Sequence, residues 1–228
     1  MSPARQTPDG LERRGTGSAP TVETREDGTR IIRGIAPVYF REDDPGTEFR
    51  LWDRVFERVR PGAASSALEA GADVLSLRDH DSSIVLGRTT SGTLTLTDTD
   101  RGLEFEVEPP DTTSANDLLA SMERGDVRGS SFMFLPVRVT WEEILGPDGD
   151  EIEKRIRWLE EVRIFEVGPV TFPAYEASTS EVSGRALDQL RDECARNCSI
   201  PSTKRDGDLD LYLRKMRLLR LDSGPRSG

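Results

Sequence analysis

The sequence predicts an α+β fold in which a mainly antiparallel sheet is accompanied by a few surrounding helices. The strongest observation is a pair of runs in which apolar and polar residues alternate, Thr93–Thr97 and Leu103–Glu108. A short connection containing glycine separates them, as in an antiparallel hairpin with one apolar face. The second observation is a helical pattern at 114–124 between segments rich in β-branched and aromatic residues. Sheet residues therefore dominate the predicted fold.

The first half of the chain supplies several more elements. Residues 30–40 favour a long first strand, and strand character resumes at 52–60. The alanine-rich segment 63–70 favours a short helix. Residues 73–78 then alternate and lead the chain to His80, the single histidine of the sequence.

The helical pattern at 114–124 has clear ends. Ser114 is the predicted N-cap, with Asp117 three residues later, and Gly125 ends the helix. The helix leads directly into Ser130 and Ser131. Three further strands are predicted after it, with a turn between the first two: 132–141, 152–158 and 162–172.

Composition divides the chain into three parts. Residues 1–20 are rich in Pro, Gly, Ser, Thr and Arg and are predicted to be a disordered arm. Residues 21–176 form the predicted folded domain. Residues 177–228 form a tail of linker and helix, in which 209–219 has apolar residues at helical spacing. This amphipathic helix is expected to dock on the domain or on a partner.

Charge and cysteine content exclude several classes of protein. A net charge of −11 argues against binding to nucleic acid, which needs basic patches. The sequence has no apolar run long enough for a membrane span and no signal peptide, so a membrane partner is not expected. Cys194 and Cys198 are too few for a zinc site, and we expect thiols in a reducing cytoplasm with no metal and no cofactor.

Candidate chemistry lies in the stretch 124–134, where two glycines precede a pair of serines and an apolar run. A serine flanked by glycine, together with the lone His80, is typical of a nucleophile and its base. The alternative is structural, since many serines at strand starts only hydrogen-bond locally. These residues alone leave both interpretations open.

Several segments carry a resemblance to a known family, in order, over about residues 30–176. They are Gly34–Phe40, Val59–Ala63, Leu77–Asp81, Val85–Thr89, Ser91–Leu94, Arg101–Phe105, Pro110–Thr112, Arg124–Phe132 and Glu166–Tyr175. In these the chain resembles the prohead maturation proteases of tailed bacteriophages, the HK97-type serine peptidases related in fold to herpesvirus assemblins. The resemblance implies that the sheet is barrel-like.

The resemblance also implies catalytic roles. His80, followed by Asp81, falls on the family's histidine as general base and acid, and Ser131 falls on its nucleophile. Ser130 stands where the family usually has methionine, and Met133 where a glycine is common. Neighbouring side chains on a strand point to opposite faces, so both serines cannot meet the histidine. Ser131 is our first choice and Ser130 the second.

A third group should orient the histidine. In the assemblins it is a second histidine, which this chain lacks. The acidic position of the family's final strand falls on Glu166, our choice for this role, and Glu161 and Asp81 are the alternatives. Backbone amides are expected to form an oxyanion hole.

The resemblance implies a serine endopeptidase of capsid maturation that acts inside the immature phage capsid in the host cytoplasm, encoded by a phage or a prophage. It would cleave scaffold, or the scaffold-like segment of the major capsid protein, and itself, with removal of the tail 177–228 by self-cleavage. The portal protein and a second copy of the chain are further candidate partners. The alternative function is a non-catalytic scaffold or assembly chaperone that retains the protease fold.

Overall fold

The computed structural model describes residues 11–148, 151–172, 192–194 and 196–197. Strands dominate this part of the chain. The strands are β1 (Glu12–Thr16), β2 (Thr21–Thr24), β3 (Arg30–Val38), β4 (Glu48–Trp52), β5 (Val55–Val59), β6 (Leu75–Arg78), β7 (Asp81–Arg88), β8 (Leu94–Thr99), β9 (Gly102–Val107), β10 (Gly129–Leu145) and β11 (Ile152–Val170). The α-helices are α1 (Ser65–Glu69) and α2 (Thr113–Glu123), and short 3-10 turns cover Pro45–Thr47 and Thr89–Ser91.

The strands form two sheets. The larger has the order β1-β10-β11-β5-β4, with β6 added to β11 and β7 added to β6; the smaller has the order β2-β3-β9-β8. Pairing is antiparallel except where β11 meets β5 and β6, which run parallel to it. This confirms an α+β fold dominated by sheet. Neither sheet closes on itself in the described part of the chain, so barrel closure is not confirmed.

The predicted hairpin is confirmed as β8 and β9, which pair antiparallel from Leu94↔Val107 to Thr99↔Gly102. Its inward side chains, including Leu103 and Phe105, are buried. They join one continuous apolar cluster to which both sheets and α2 contribute. Burial of each large side chain in this cluster stabilises the fold by about 1.5–3 kcal/mol.

The second half of the sheet is a longer hairpin than predicted. β10 runs from 129 to 145, so Ser131 lies within a strand and pairs with Gly168. The separate strands predicted at 152–158 and 162–172 are one strand, β11. The intervening residues keep their pairing with β10, and β-bulges absorb the changes of register that a break would otherwise accommodate.

Helix α2 confirms the predicted helix but not its cap. Thr112, rather than Ser114, is the N-cap, because Thr112 has extended backbone angles and its Oγ1 accepts a hydrogen bond from the Ala115 amide. Gly125 follows the helix with φ of 79°, the left-handed conformation that glycine adopts readily. The buried face of α2 carries Ala115, Leu118, Leu119 and Met122.

The prediction of a disordered arm at 1–20 is wrong for the described residues that follow residue 10. Residues 12–16 form β1, which pairs antiparallel with β10. The charged side chains of Glu12 and Arg14 are buried because each finds an opposite charge: Arg14 Nε lies 2.7 Å from Glu57 Oε1, and Arg157 Nη1 lies 3.1 Å from Glu12 Oε2. Ion pairing within the fold therefore compensates for the scarcity of large apolar side chains, on which the prediction of disorder is based.

The predicted amphipathic helix at 209–219 lies outside the described residues, as does most of the predicted tail. Residues 192–194 and 196–197 are helical, and Cys194 is buried. Among the described residues, no helix has the length and apolar character needed to cross a membrane.

Candidate active site

His80 lies in a two-residue turn between β6 and β7. Arg78 pairs with Asp81 across the turn, and the two residues between them, Asp79 and His80, have φ of 49° and 60°. Positive φ at both central positions is what a type I′ hairpin turn requires, and Asp and His adopt it more readily than most residues. The turn is further held by Asp79, whose carboxylate accepts hydrogen bonds from the Thr171 amide at 2.6 Å and the Thr171 hydroxyl at 3.1 Å.

Ser131 and His80 are brought together although 51 residues separate them. Ser131 Oγ lies 2.7 Å from His80 Nε2, and the serine is almost fully buried, with 3% of its surface exposed. The imidazole is more accessible, with 15% of its side chain exposed. This is the contact that a serine nucleophile and its general base need.

Glu166 is the acidic group that contacts the histidine. Its Oε1 and Oε2 lie 2.9 Å and 2.8 Å from His80 Nδ1. An ionised carboxylate only accepts, so Nδ1 carries the proton and, in the neutral imidazole, Nε2 is left as an acceptor for the Ser131 hydroxyl. Glu166 is 2% exposed, and its charge is therefore poorly screened by water.

The structure places the alternative residues elsewhere. Ser130 Oγ donates to the Ser18 carbonyl at 3.2 Å, as expected if neighbouring strand residues face opposite sides. Glu161 accepts a hydrogen bond from the Ser66 hydroxyl at 2.7 Å. Asp81 accepts from the Ser83 hydroxyl and amide, and these two hydrogen bonds lower its pKa. None of the contacts found for Ser130, Glu161 or Asp81 in the described chain reaches His80.

A close approach of β6 to β11 positions the His80 turn relative to Ser131. Gly168 pairs laterally with Ser131, and the backbone of Leu77, at the end of β6, passes directly over it. A Cβ at Gly168 would lie 2.1 Å from the Leu77 carbonyl oxygen, which is far inside van der Waals contact. Only glycine therefore allows this approach. The sequence offered no local signal for it beyond the glycine itself.

Gly168→Ala is accordingly expected to push β6 away from β11 and to move His80 off Ser131. Overpacking of this kind typically costs about 1–3 kcal/mol of stability. We expect a lower melting temperature together with a loss of any activity that depends on Ser131. Gly146→Ala is the matched control, because the nearest atom to its added Cβ is the Glu151 carbonyl oxygen at 3.6 Å. Equal behaviour of the two variants would contradict the packing argument.

One contact at the site involves a residue of β1, which the sequence predicts to lie in a disordered arm. Ser131 Oγ also lies 2.8 Å from the carbonyl oxygen of Arg14 on β1. A hydroxyl has a single proton, so a bond donated to Arg14 competes with one donated to His80. An arginine-rich segment ending in glycine gave no sign of this role.

Comparisons with known proteins identify the family of the chain. A family model described as caudovirus prohead serine protease matches residues 19–193, well over half of the chain. Searches of the curated proteins and of the solved structures gave no match. The matched region contains all three of the residues that meet at the site, Ser131, His80 and Glu166. The chain therefore belongs to the caudovirus prohead serine proteases.

Proposed function

We propose that this chain is a serine endopeptidase of phage capsid maturation in which Ser131 is the nucleophile, His80 the general base and acid, and Glu166 the group that orients the histidine. The observation that carries the proposal is the continuous chain of contacts from Ser131 Oγ through the imidazole to the Glu166 carboxylate, each 2.7–2.9 Å long. Family membership supports the reaction class.

The proposed chemistry follows from the roles of these groups. Ser131 Oγ attacks the carbonyl carbon of the scissile peptide bond while His80 Nε2 takes the hydroxyl proton. The buried carboxylate of Glu166 stabilises the imidazolium formed in this step. His80 then gives the proton to the departing amine. In the second half of the reaction, water attacks the ester carbonyl while His80 Nε2 takes its proton. The ester bond breaks, and the same proton returns to Ser131 Oγ, which restores the free hydroxyl.

The proposed substrates are capsid components inside the immature capsid. The matching family is described as a prohead protease. A protease of the prohead would meet the proteins from which that shell is assembled, which supports the scaffold, or the scaffold-like segment of the major capsid protein, as the target. Self-cleavage belongs to the same proposal. Contacts with the portal protein and with a second copy of the chain stay predictions.

The proposed function is tested by assembling shells from the phage's capsid and scaffold proteins. One assembly contains the wild-type chain and the other contains His80→Ala. His80 is the single histidine of the chain, so no second imidazole can replace it as the general base. We expect the wild type to shorten the capsid or scaffold protein, as seen by intact mass, and His80→Ala to leave both at full length. The purified variant should melt as cooperatively as the wild type.

Two results would count against the proposal. Processing by the His80→Ala chain at the wild-type rate would remove histidine from the mechanism. Assembly that needs the chain but proceeds equally with His80→Ala, with no protein shortened in either case, would favour the non-catalytic scaffold or chaperone instead.

A further inference from the structure

The strand β1 lies where an extended peptide would have to lie to reach Ser131. It is the last strand in the order of the larger sheet and pairs with β10 alone among the described strands. In its register Gly15 is directly opposite Ser131. Proteins commonly bind extended peptides by adding them as a strand to a sheet edge. Without β1, the edge of β10 beside Ser131 would offer such a site.

The backbone of β1 presents a peptide carbonyl to the proposed nucleophile. Ser131 Oγ lies 2.8 Å from the carbonyl oxygen of Arg14 and 2.7 Å from His80 Nε2. The Arg14–Gly15 peptide bond is thus the one that the hydroxyl touches.

The side chains of β1 alternate between the face that meets Glu57 and Arg157 and the face that carries Ser131. Glu12 and Arg14 point inward and are 4% and 2% exposed, whereas Arg13 between them is only partly buried. Arg14 donates to both carboxylate oxygens of Glu57, at 2.7 Å and 3.1 Å. Glu12 accepts from both terminal nitrogens of Arg157 at 3.1 Å. Arg14 therefore makes two hydrogen bonds with Glu57, and Glu12 makes two with Arg157.

Glu57 and Arg157 form the walls of a charged pocket. They face each other on the paired strands β5 and β11 and are themselves almost completely buried. Burial opposes ionisation of Glu57, but the nearby Arg14 and Arg157 outweigh it and lower the pKa of its carboxyl. A buried carboxylate with a free side is costly, and the planar fork of arginine matches it better than the ammonium of lysine. Glu57 thus suits an arginine, and Arg157 suits an acidic residue two positions before that arginine.

We propose that β1 occupies the substrate-binding site of this enzyme, which accepts extended peptides with the pattern Glu-x-Arg and cleaves the bond after the arginine; in its own chain this bond is Arg14–Gly15. This inference rests on the proposed function of Ser131 and His80. The cut would release residues 1–14 and leave the pocket open to a capsid or scaffold segment of the same pattern.

The covalent step uses only groups present in the chain and water. Ser131 Oγ bonds to the carbonyl carbon of Arg14 as its proton passes to His80 Nε2. The bond from that carbon to the Gly15 nitrogen then breaks, and the nitrogen takes the proton from His80. Water hydrolyses the ester, which leaves a carboxylate on Arg14, an amino terminus on Gly15 and a free Ser131 hydroxyl.

The test follows the intact mass of the purified full-length chain over time in four forms: wild type, Ser131→Ala, Arg14→Ala and Arg13→Ala. We expect the wild type to give a product that begins at Gly15 and Ser131→Ala to give none. Loss of the charged hydrogen bonds to Glu57 should slow the cut in Arg14→Ala by about ten- to a hundredfold. Arg13→Ala is the matched control, because the Arg13 side chain points away from Glu57 and Arg157, and it should cut at the wild-type rate.

A second measurement separates recognition from folding. A synthetic peptide of residues 9–18 is added to the Arg14→Ala chain, which should cut it between the arginine and the glycine. If Arg14→Ala does not fold, Arg14→Lys replaces it, with the cut slowed but retained. If Arg14→Lys cuts as fast as the wild type, the proposed recognition of arginine by the pocket is wrong.

The remaining outcomes distinguish failure of this inference from failure of the proposed function. Processing that depends on Ser131 but leaves Arg14–Gly15 intact would overturn this inference and leave the proposed function standing. Equal rates for Arg13→Ala and Arg14→Ala would overturn the role of the pocket. A wild-type chain that cuts neither itself nor capsid proteins would remove the proposed function and this inference together.

Discussion

Ser131→Ala is expected to abolish processing of the capsid or scaffold protein, while Ser130→Ala leaves it nearly intact. Removal of a serine nucleophile that acts with a histidine lowers the catalytic rate by about 10⁶-fold, because no other group can form the acyl intermediate. Ser130 faces the other side of β10, where its hydroxyl contacts the Ser18 carbonyl. Its loss should cost about 1 kcal/mol of stability and little rate.

The two variants form a sharp comparison because they differ by one position on one strand and both residues are buried. Rates would be measured by intact mass of the capsid protein, with melting temperatures of both variants as the check on folding. A loss of processing in Ser130→Ala with activity retained in Ser131→Ala would reverse the assignment of the nucleophile. Loss in both would indicate that the packing of β10 controls activity.

Local sequence patterns are sufficient to predict much of the fold. The β8–β9 hairpin and the helix α2 follow from alternation, helical spacing and glycine, which act over a few residues. The choice of Ser131, His80 and Glu166 needed the resemblance to a family as well. Their mutual distances depend on strand pairing between distant segments, such as Glu166 with Leu75, which no local pattern encodes.

The strand β1 shows why the rest could not be predicted. Its sequence of charged residues, glycine and threonine is typical of a solvated segment. The partners that bury its charges, Glu57 and Arg157, lie 43 and 145 residues away in the chain. Burial of a charge is favourable only when such a partner is already in place. Composition alone therefore predicts disorder where the fold forms a strand.

The turn that holds His80 is another case. Asp79 and His80 both have positive φ, which is uncommon outside glycine and occurs often at functional sites. Asp81 is an alternative for the orienting role in the sequence, whereas no sequence pattern points to Asp79. In the structure Asp79 binds Thr171 at the end of β11, and this contact ties the turn to the strand that carries Glu166. The contact between Asp79 and Thr171 depends on the fold, which brings the turn next to the end of β11, and no local sequence pattern predicts it.

Glu166→Gln is expected to lower the rate of processing by about 10⁴-fold, the size of the effect when the acidic member of a serine-histidine-acid triad becomes an amide. The amide keeps the shape of the side chain but carries no charge to stabilise the imidazolium. Its NH₂ group can also donate to Nδ1, which would place the histidine proton on Nε2 and remove the acceptor for Ser131. Glu166 is buried, so water cannot replace the lost charge.

Glu161→Gln and Asp81→Asn are the matched controls, since each neutralises an acidic residue that was an alternative for the same role. Glu161 contacts Ser66 and Asp81 contacts Ser83, so neither change removes a hydrogen bond to the imidazole. We expect both to process the capsid or scaffold protein within about threefold of the wild-type rate, since surface changes of this kind are usually worth less than about 0.5 kcal/mol. A large loss in either control, with Glu166→Gln fully active, would transfer the orienting role to that residue. Such a result would require the His80 turn to rearrange on substrate binding, because only Glu166 among these three acids touches Nδ1 in the described chain.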